Sequence, residues 1–269
     1  MRIHVIPTGT LVGNKTFLRG EGWPSLLRPY EPFEFPAFSY VLEHDDGHIA
    51  IDTGMTSRAR TPRLLRRMVP RPIMQPEDEV GPQMRARGLN PEDVRLVIVT
   101  HLDWDHFGGV GHFPNADVLV HRPEHNFAST LMGKLRYQPK LWPTGFSPAL
   151  YDLNPEPFGP FPTSKVLTEN GAVRLVPIPG HSIAQVAAIV RTGDVSLFFG
   201  ADHMLRQDWF VDDYNRGRLK QLGLFYPDAA IETSRRIHMF LESQPTVLLP
   251  AHDADAVGRL LSLETVKTR

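Results

Sequence analysis

Cysteine is absent from this chain, so disulfides, thiolate nucleophiles and sulfur ligands are excluded and any metal must be held by nitrogen and oxygen. Net charge is nearly absent too. Lys and Arg number 29 against 30 Asp and Glu, giving a formal charge of −1 and no electrostatic ground for binding nucleic acid. No apolar run approaches the about eighteen residues of a membrane span, and no basic segment followed by a signal-like apolar stretch opens the chain. These absences predict a soluble, cytoplasmic protein with neither a membrane nor a nucleic-acid partner. What remains is 269 residues at 41% hydrophobic content, without visible repeats or a long linker, which predicts one layered α/β domain over 1–269.

The densest chemistry lies in Thr100-His-Leu-Asp-Trp-Asp-His-Phe-Gly-Gly109, where His101, Asp103, Asp105 and His106 follow the apolar run Leu96–Val99. Imidazoles and carboxylates are neutral-pH ligands of zinc and its neighbours, and four within one turn-sized segment can serve two ions. Three more apolar runs end the same way: 175–180 at His181, 195–201 at Asp202 and 247–251 at His252. Buried strands are apolar on both faces and carry polar residues where they leave the sheet, so four such ends can supply one shared site. The candidate ligand set is therefore His101, Asp103, Asp105, His106, His181, Asp202 and His252.

The segments THLDWDHFGG, PGHS, GADH and PAHD, in this order, resemble the metal motifs of the metallo-β-lactamase superfamily, and the likeness runs over almost the whole chain. The opening residues 1–10 and the strand Phe38–His44 are most similar to the N-acyl homoserine lactone lactonases of that superfamily. The resemblance implies an αββα sandwich of two mixed sheets flanked by helices, with the metal site at one edge. It also implies that Asp52, in Ile51-Asp-Thr-Gly54, supports the metal loop without being a ligand. The short stretch after His252 argues against glyoxalase II-like thioesterases, which carry an extra C-terminal helical domain.

Two departures qualify this likeness. Where the superfamily usually has histidine, this chain has Asp103, a harder ligand that admits Mn2+ or Fe2+ beside Zn2+. Where the lactonases have a tyrosine three positions after the bridging aspartate, it has Leu205. Three aspartates and a bridging hydroxide carry about four negative charges, matching two divalent ions. The alternative is that Asp103 caps the following turn and a single ion sits on Asp105, His106, Asp202 and His252.

The chemistry implied is hydrolysis of an ester-like bond, a lactone such as an N-acyl homoserine lactone, by a metal-bridging hydroxide, with Asp105 and Asp202 as catalytic carboxylates. The alternatives are another ester or thioester hydrolase of this fold, an iron-based oxidoreductase, or a non-catalytic metal-binding protein. Two stretches rich in proline and aromatics, Phe17–Phe38 and Tyr137–Phe161, read as irregular loops walling an apolar pocket for an acyl chain. Trp23, Phe33, Trp104, Trp142, Phe146 and His203 are the candidate substrate contacts, on a small-molecule partner, and the reading leaves room for a homodimer.

Elsewhere, residues 2–6, 38–43, 48–52, 117–120, 173–178, 185–191 and 195–199 read as strands, with Asp45-Asp46-Gly47 as a hairpin turn. Asn90-Pro-Glu-Asp93 reads as a helix start, Pro123–Leu131 as a helix and 228–243 as an amphipathic helix with Ala230, Ile237, Phe240 and Leu241 inward. Arginines 58, 60, 63, 66, 67 and 71 read as one solvated helical face.

Overall fold

A computed structural model describes residues 2–21, 27–45, 47–215 and 226–266. The chain divides into two compact units, the first comprising the N-terminal residues to Phe17 and those up to Tyr151, the second Asp152 onward together with the segment from Leu18.

The first unit is a seven-stranded mixed sheet. Its strands are β1 (Ile3–Asn14), β2 (Pro32–Leu42), β3 (His48–Ile51), β4 (Arg71–Ile73), β5 (Val94–Ile98), β6 (Asp117–His121) and β7 (Ala149–Tyr151), in the order β4-β1-β2-β3-β5-β6-β7. Neighbours are antiparallel from β4 to β3 and parallel from β3 to β7. The helices are α1 (Val80–Arg85), α2 (Trp104–Phe107), α3 (Arg122–Ala128) and α4 (Leu131–Tyr137). Val97, Val99, Phe107, Val110 and Val120 are buried in a core against Val80 and Met84 of α1.

Several expected boundaries move. β1 does not stop at Pro7: its pairing with β2 shifts register between Pro7 and Thr10, where Gly9 adopts φ 96°, and then continues to Asn14. A bulge absorbs the proline that a regular ladder could not. β2 starts at Pro32 and carries Pro36 opposite Thr10 at the same irregularity, so residues 32–38 are strand where a loop was expected. The expected helix over Pro123–Leu131 is two helices, because Thr130 accepts from Gly133 N at 3.1 Å and caps a new one. Asn90 does cap, but the helix is a single 3-10 turn, Pro91–Asp93, leading into β5. The arginine run is not a helix either. Between Pro62 and Pro70 only Arg63–Leu65 makes a 3-10 turn. Arg60 donates to Ser57 O and Arg66 to Thr61 O within the irregular segment, while Arg58 donates to Leu141 O and Arg67 to Arg28 O, tying it to more distant chain.

The second unit is a five-stranded mixed sheet: β8 (Lys165–Val166), β9 (Val173–Pro177), β10 (Val186–Thr192), β11 (Val195–Ala201) and β12 (Thr246–Pro250), ordered β12-β11-β10-β9-β8. β11 and β12 are parallel, which requires a long crossover, supplied by α5 (Gln207–Asn215) and α6 (Pro227–Ser243). The last helix is α7 (Ala256–Ser262). The inward face of α6 is as expected: Ala230, Ile237, Phe240 and Leu241 are buried, and Phe240 packs on Phe161 and Phe198. Glu232 faces out and pairs with Arg235 and Arg236. The fold class is thus α/β with two mixed sheets and flanking helices. Among the described residues no helix is long and apolar enough to cross a membrane.

Candidate metal centre

In the first unit the loop carrying the candidate ligands leaves the end of β5 and turns into α2. His101 and His106 are buried, with ring centroids 4.1 Å apart. Asp52, at the end of β3, organises this loop. Its backbone is left-handed at φ 54°, and its carboxylate accepts from Thr100 N (Oδ1, 2.8 Å) and Thr100 Oγ1 (Oδ2, 2.8 Å). Oδ2 also lies 2.7 Å from His106 Nδ1, which directs Nε2 of that ring away from Asp52. The main chain is pinned as well: Thr53 N and Oγ1 both donate to His106 O, at 2.6 and 3.0 Å. Gly54 bridges Phe107.

Asp103 stands at the N-cap position of α2, yet its side chain makes no capping hydrogen bond. Both of its oxygens face Arg136 from the last turn of α4, with Nε to Oδ1 at 2.9 Å and Nη2 to Oδ2 at 2.6 Å. Oδ2 is also 3.2 Å from His101 Nε2. Burial disfavours the Arg136 charge, but Asp103 more than restores it and holds its pKa above the ordinary value. Asp105 lies in the first turn of α2.

In the second unit Asp202 follows Ala201, whose φ of 44° is left-handed in a residue that rarely adopts it. The two Asp202 oxygens are flanked by imidazoles: His252 Nε2 is 3.1 Å from Oδ1, and His181 Nε2 is 3.5 Å from Oδ2. Ligands about 2.0–2.1 Å from a tetrahedral zinc stand roughly 3.3 Å from one another, so these donors have the spacing of a coordination shell. The donor set of neutral imidazoles and carboxylates fits a divalent ion. Asp253 braces the His252 loop, accepting from Arg259 Nη2 at 2.6 Å, Gln207 N at 3.0 Å and Asp255 N at 3.1 Å.

The candidate substrate contacts have varied surroundings. Trp142 and Phe146 pack edge-on against Phe107 at 5.3 and 5.0 Å, on the first unit's core. Trp104 is buried at the start of α2, and Phe33 stacks on Phe35. His203 is fully buried with Nε2 2.9 Å from Ser234 Oγ. Burial, and secondarily His181, lower its pKa to about 3. Trp23 lies outside the described residues.

The sequence left several supporting residues unmarked. Arg136 lies 33 positions from Asp103, on a helix that was not foreseen. Glu79 Oε1 accepts from Ser57 N and Oγ at 2.7 and 2.6 Å, while its Oε2 meets His112 Nε2 at 2.6 Å, securing the loop after β3. Burial pushes Glu79 up, but the bonds from Ser57 and His112 outweigh it and hold the carboxyl below its ordinary value. Nothing local in the sequence connects these groups.

Residues 32–267 match the model of the metallo-beta-lactamase superfamily. A probable metallo-hydrolase of Mycobacterium tuberculosis is 35% identical over 162 residues, 57% of this chain and 52% of the relative. The N-acyl homoserine lactonase AttM of Rhizobium johnstonii is 31% identical over 144 residues, 48% of this chain and 49% of that one. The chain therefore spans about half the length of the curated relatives it matches. A solved N-acyl homoserine lactone hydrolase, with its product N-hexanoyl-L-homoserine at the catalytic metal centre, shares the fold at a TM-score of 0.77 and 21% identity, covering 95% of this chain and 94% of that one. With the family model matched from β2 to the last described residues, this chain belongs to the metallo-β-lactamase superfamily.

Proposed function

We propose that this chain is a metal-dependent hydrolase that opens a lactone, with the two units acting as halves of one domain. The observation that carries the reading is Asp202, a carboxylate flanked on both oxygens by the imidazoles of His181 and His252, as a ligand shared by two ions requires. In this reading the first unit supplies His101, Asp105 and His106, and the second supplies His181, Asp202 and His252, as the ligands of divalent ions. Such ions, of zinc, manganese or iron, would supply water activated at neutral pH and a Lewis acid for the carbonyl oxygen.

The chain's own residues do the remainder. Asp52 fixes the His106 ring through Nδ1, leaving Nε2 to ligate. Asp253 holds the loop of His252. Asp105, besides ligating, would take up the proton of the attacking water and pass it to the leaving alkoxide oxygen as the ring opens. The fold-sharing hydrolase holds N-hexanoyl-L-homoserine, and AttM is named a lactonase; these similarities favour an N-acyl homoserine lactone. An acyl chain would find apolar surface beside Trp142 and Phe146, which border the ligand loop through Phe107.

The test is ring opening of N-hexanoyl- and N-decanoyl-homoserine lactone by the purified protein, before and after chelation and with zinc, manganese or iron restored. Metal-dependent hydrolysis is expected, and D202A should lose turnover and bound metal together. A fully active D202A, or no hydrolysis by the metal-loaded protein, overturns the reading.

A further inference from the structure

Asp103 occupies the position where the family pattern has histidine, and its carboxylate is already engaged. Arg136 meets it fork to fork, one nitrogen on each oxygen, with the two side chains only 12% and 16% exposed. This arrangement is the strongest geometry available to an arginine and a carboxylate. To ligate an ion through Oδ2, the oxygen 3.2 Å from His101 Nε2, Asp103 must share or surrender a partly buried ion pair. The guanidinium also places a fixed positive charge beside His101, where a divalent cation would sit, and like charges in a partly buried setting repel with little screening.

We propose that the Arg136–Asp103 pair makes the metal position served by His101 weak and exchangeable, so that this chain holds one ion firmly and a second loosely. The inference rests on the metal centre proposed above. The pair acts as a unit of zero net charge, and Asp103 positions Arg136 instead of coordinating. Arg136 is set by α4, whose start is fixed by the Thr130 cap and whose last turn favours a cation.

The experiment is zinc binding to the full chain, read by elemental analysis after dialysis and by competition with a chromophoric chelator, independently of turnover. Wild type is expected to retain one equivalent and to bind the second at least tenfold more weakly. R136Q releases the Asp103 carboxylate and should tighten the second ion tenfold or more. D103N/R136Q removes both charges and should leave the second affinity within about threefold of wild type. Two equally tight ions in wild type, no tightening in R136Q, or a loss of tenfold or more in the double variant would each overturn the inference. Thermal melts report whether the variants fold, and R136K, which keeps the charge but loses the fork, gives a smaller tightening should R136Q not fold. Binding in these proportions without lactone hydrolysis would overturn the substrate reading alone, whereas absence of any tight ion would overturn the metal centre and this inference with it.

Discussion

Asp52 Oδ2 stands 2.7 Å from His106 Nδ1, across 54 residues of chain, while the same carboxylate accepts two hydrogen bonds from Thr100. One buried acid thereby fixes both ends of the loop that carries His101 and Asp105. Such partners of a ligating histidine set its tautomer and ring orientation, and their loss commonly costs 10–100-fold in metal affinity. D52N keeps the size but loses the charge that favours an Nδ1–H donor, and it should weaken the tighter ion by roughly tenfold or more. Chelator competition measures this; unchanged retention would remove Asp52 from the site's support.

The candidate ligand cluster stands out in sequence because its signals are local: an apolar strand of four or five residues, then imidazoles and carboxylates where the strand ends. The role expected of Asp52 came through the resemblance alone, since its partners Thr100 and His106 lie 48 and 54 positions away in the chain. Arg136 carried no such signal. It belongs to a helix whose Leu131, Met132 and Leu135 are exposed, so its apolar pattern reports no buried face. Its partner is reached only by tertiary packing. Prolines 7, 32 and 36 misled in the opposite direction, because each sits at a strand start or beside a bulge, positions whose tolerance depends on the pairing partner. The fold class was therefore readable through the resemblance and the apolar strands, while the electrostatics of Asp103 were not.

Gly54 follows Asp52 and Thr53 in a left-handed conformation, φ 67°, and a Cβ there would run into the side chain of Thr8 on β1. Gly145 has a similar φ, 74°, with nothing near its missing side chain. Comparing alanine at the two sites separates backbone strain from steric collision. G145A should cost about 1 kcal/mol, the strain alone, while G54A adds overpacking of roughly 1–3 kcal/mol and shifts the Thr53 contacts to His106. Urea unfolding midpoints test this, with equal losses at the two sites ruling out the collision. G54A should also release metal more readily than G145A, because the displaced backbone is the one that holds the ligand loop.

His238 lies on the buried face of α6, stacked on Phe210 with centroids 4.7 Å apart, and burial lowers its pKa to about 4 from an ordinary 6.5. The folded ring therefore stays neutral at pH values where the unfolded chain takes up a proton. Its contribution is intact above pH 6.5, declines as the pH falls towards 4, and has no further pH dependence below that. The loss across that window is about 3 kcal/mol. H238Q removes the titrating ring while keeping a polar side chain of similar length. Its stability at neutral pH should be lower than that of the parent, since the stack with Phe210 is lost, but the difference should narrow between pH 6.5 and 4. Denaturant midpoints at half-unit steps of pH, on metal-free protein so that ligand protonation does not contribute, give the two curves. Parallel curves through that window would mean that His238 is not held neutral by the fold, and the acid sensitivity of this unit would then belong to other groups.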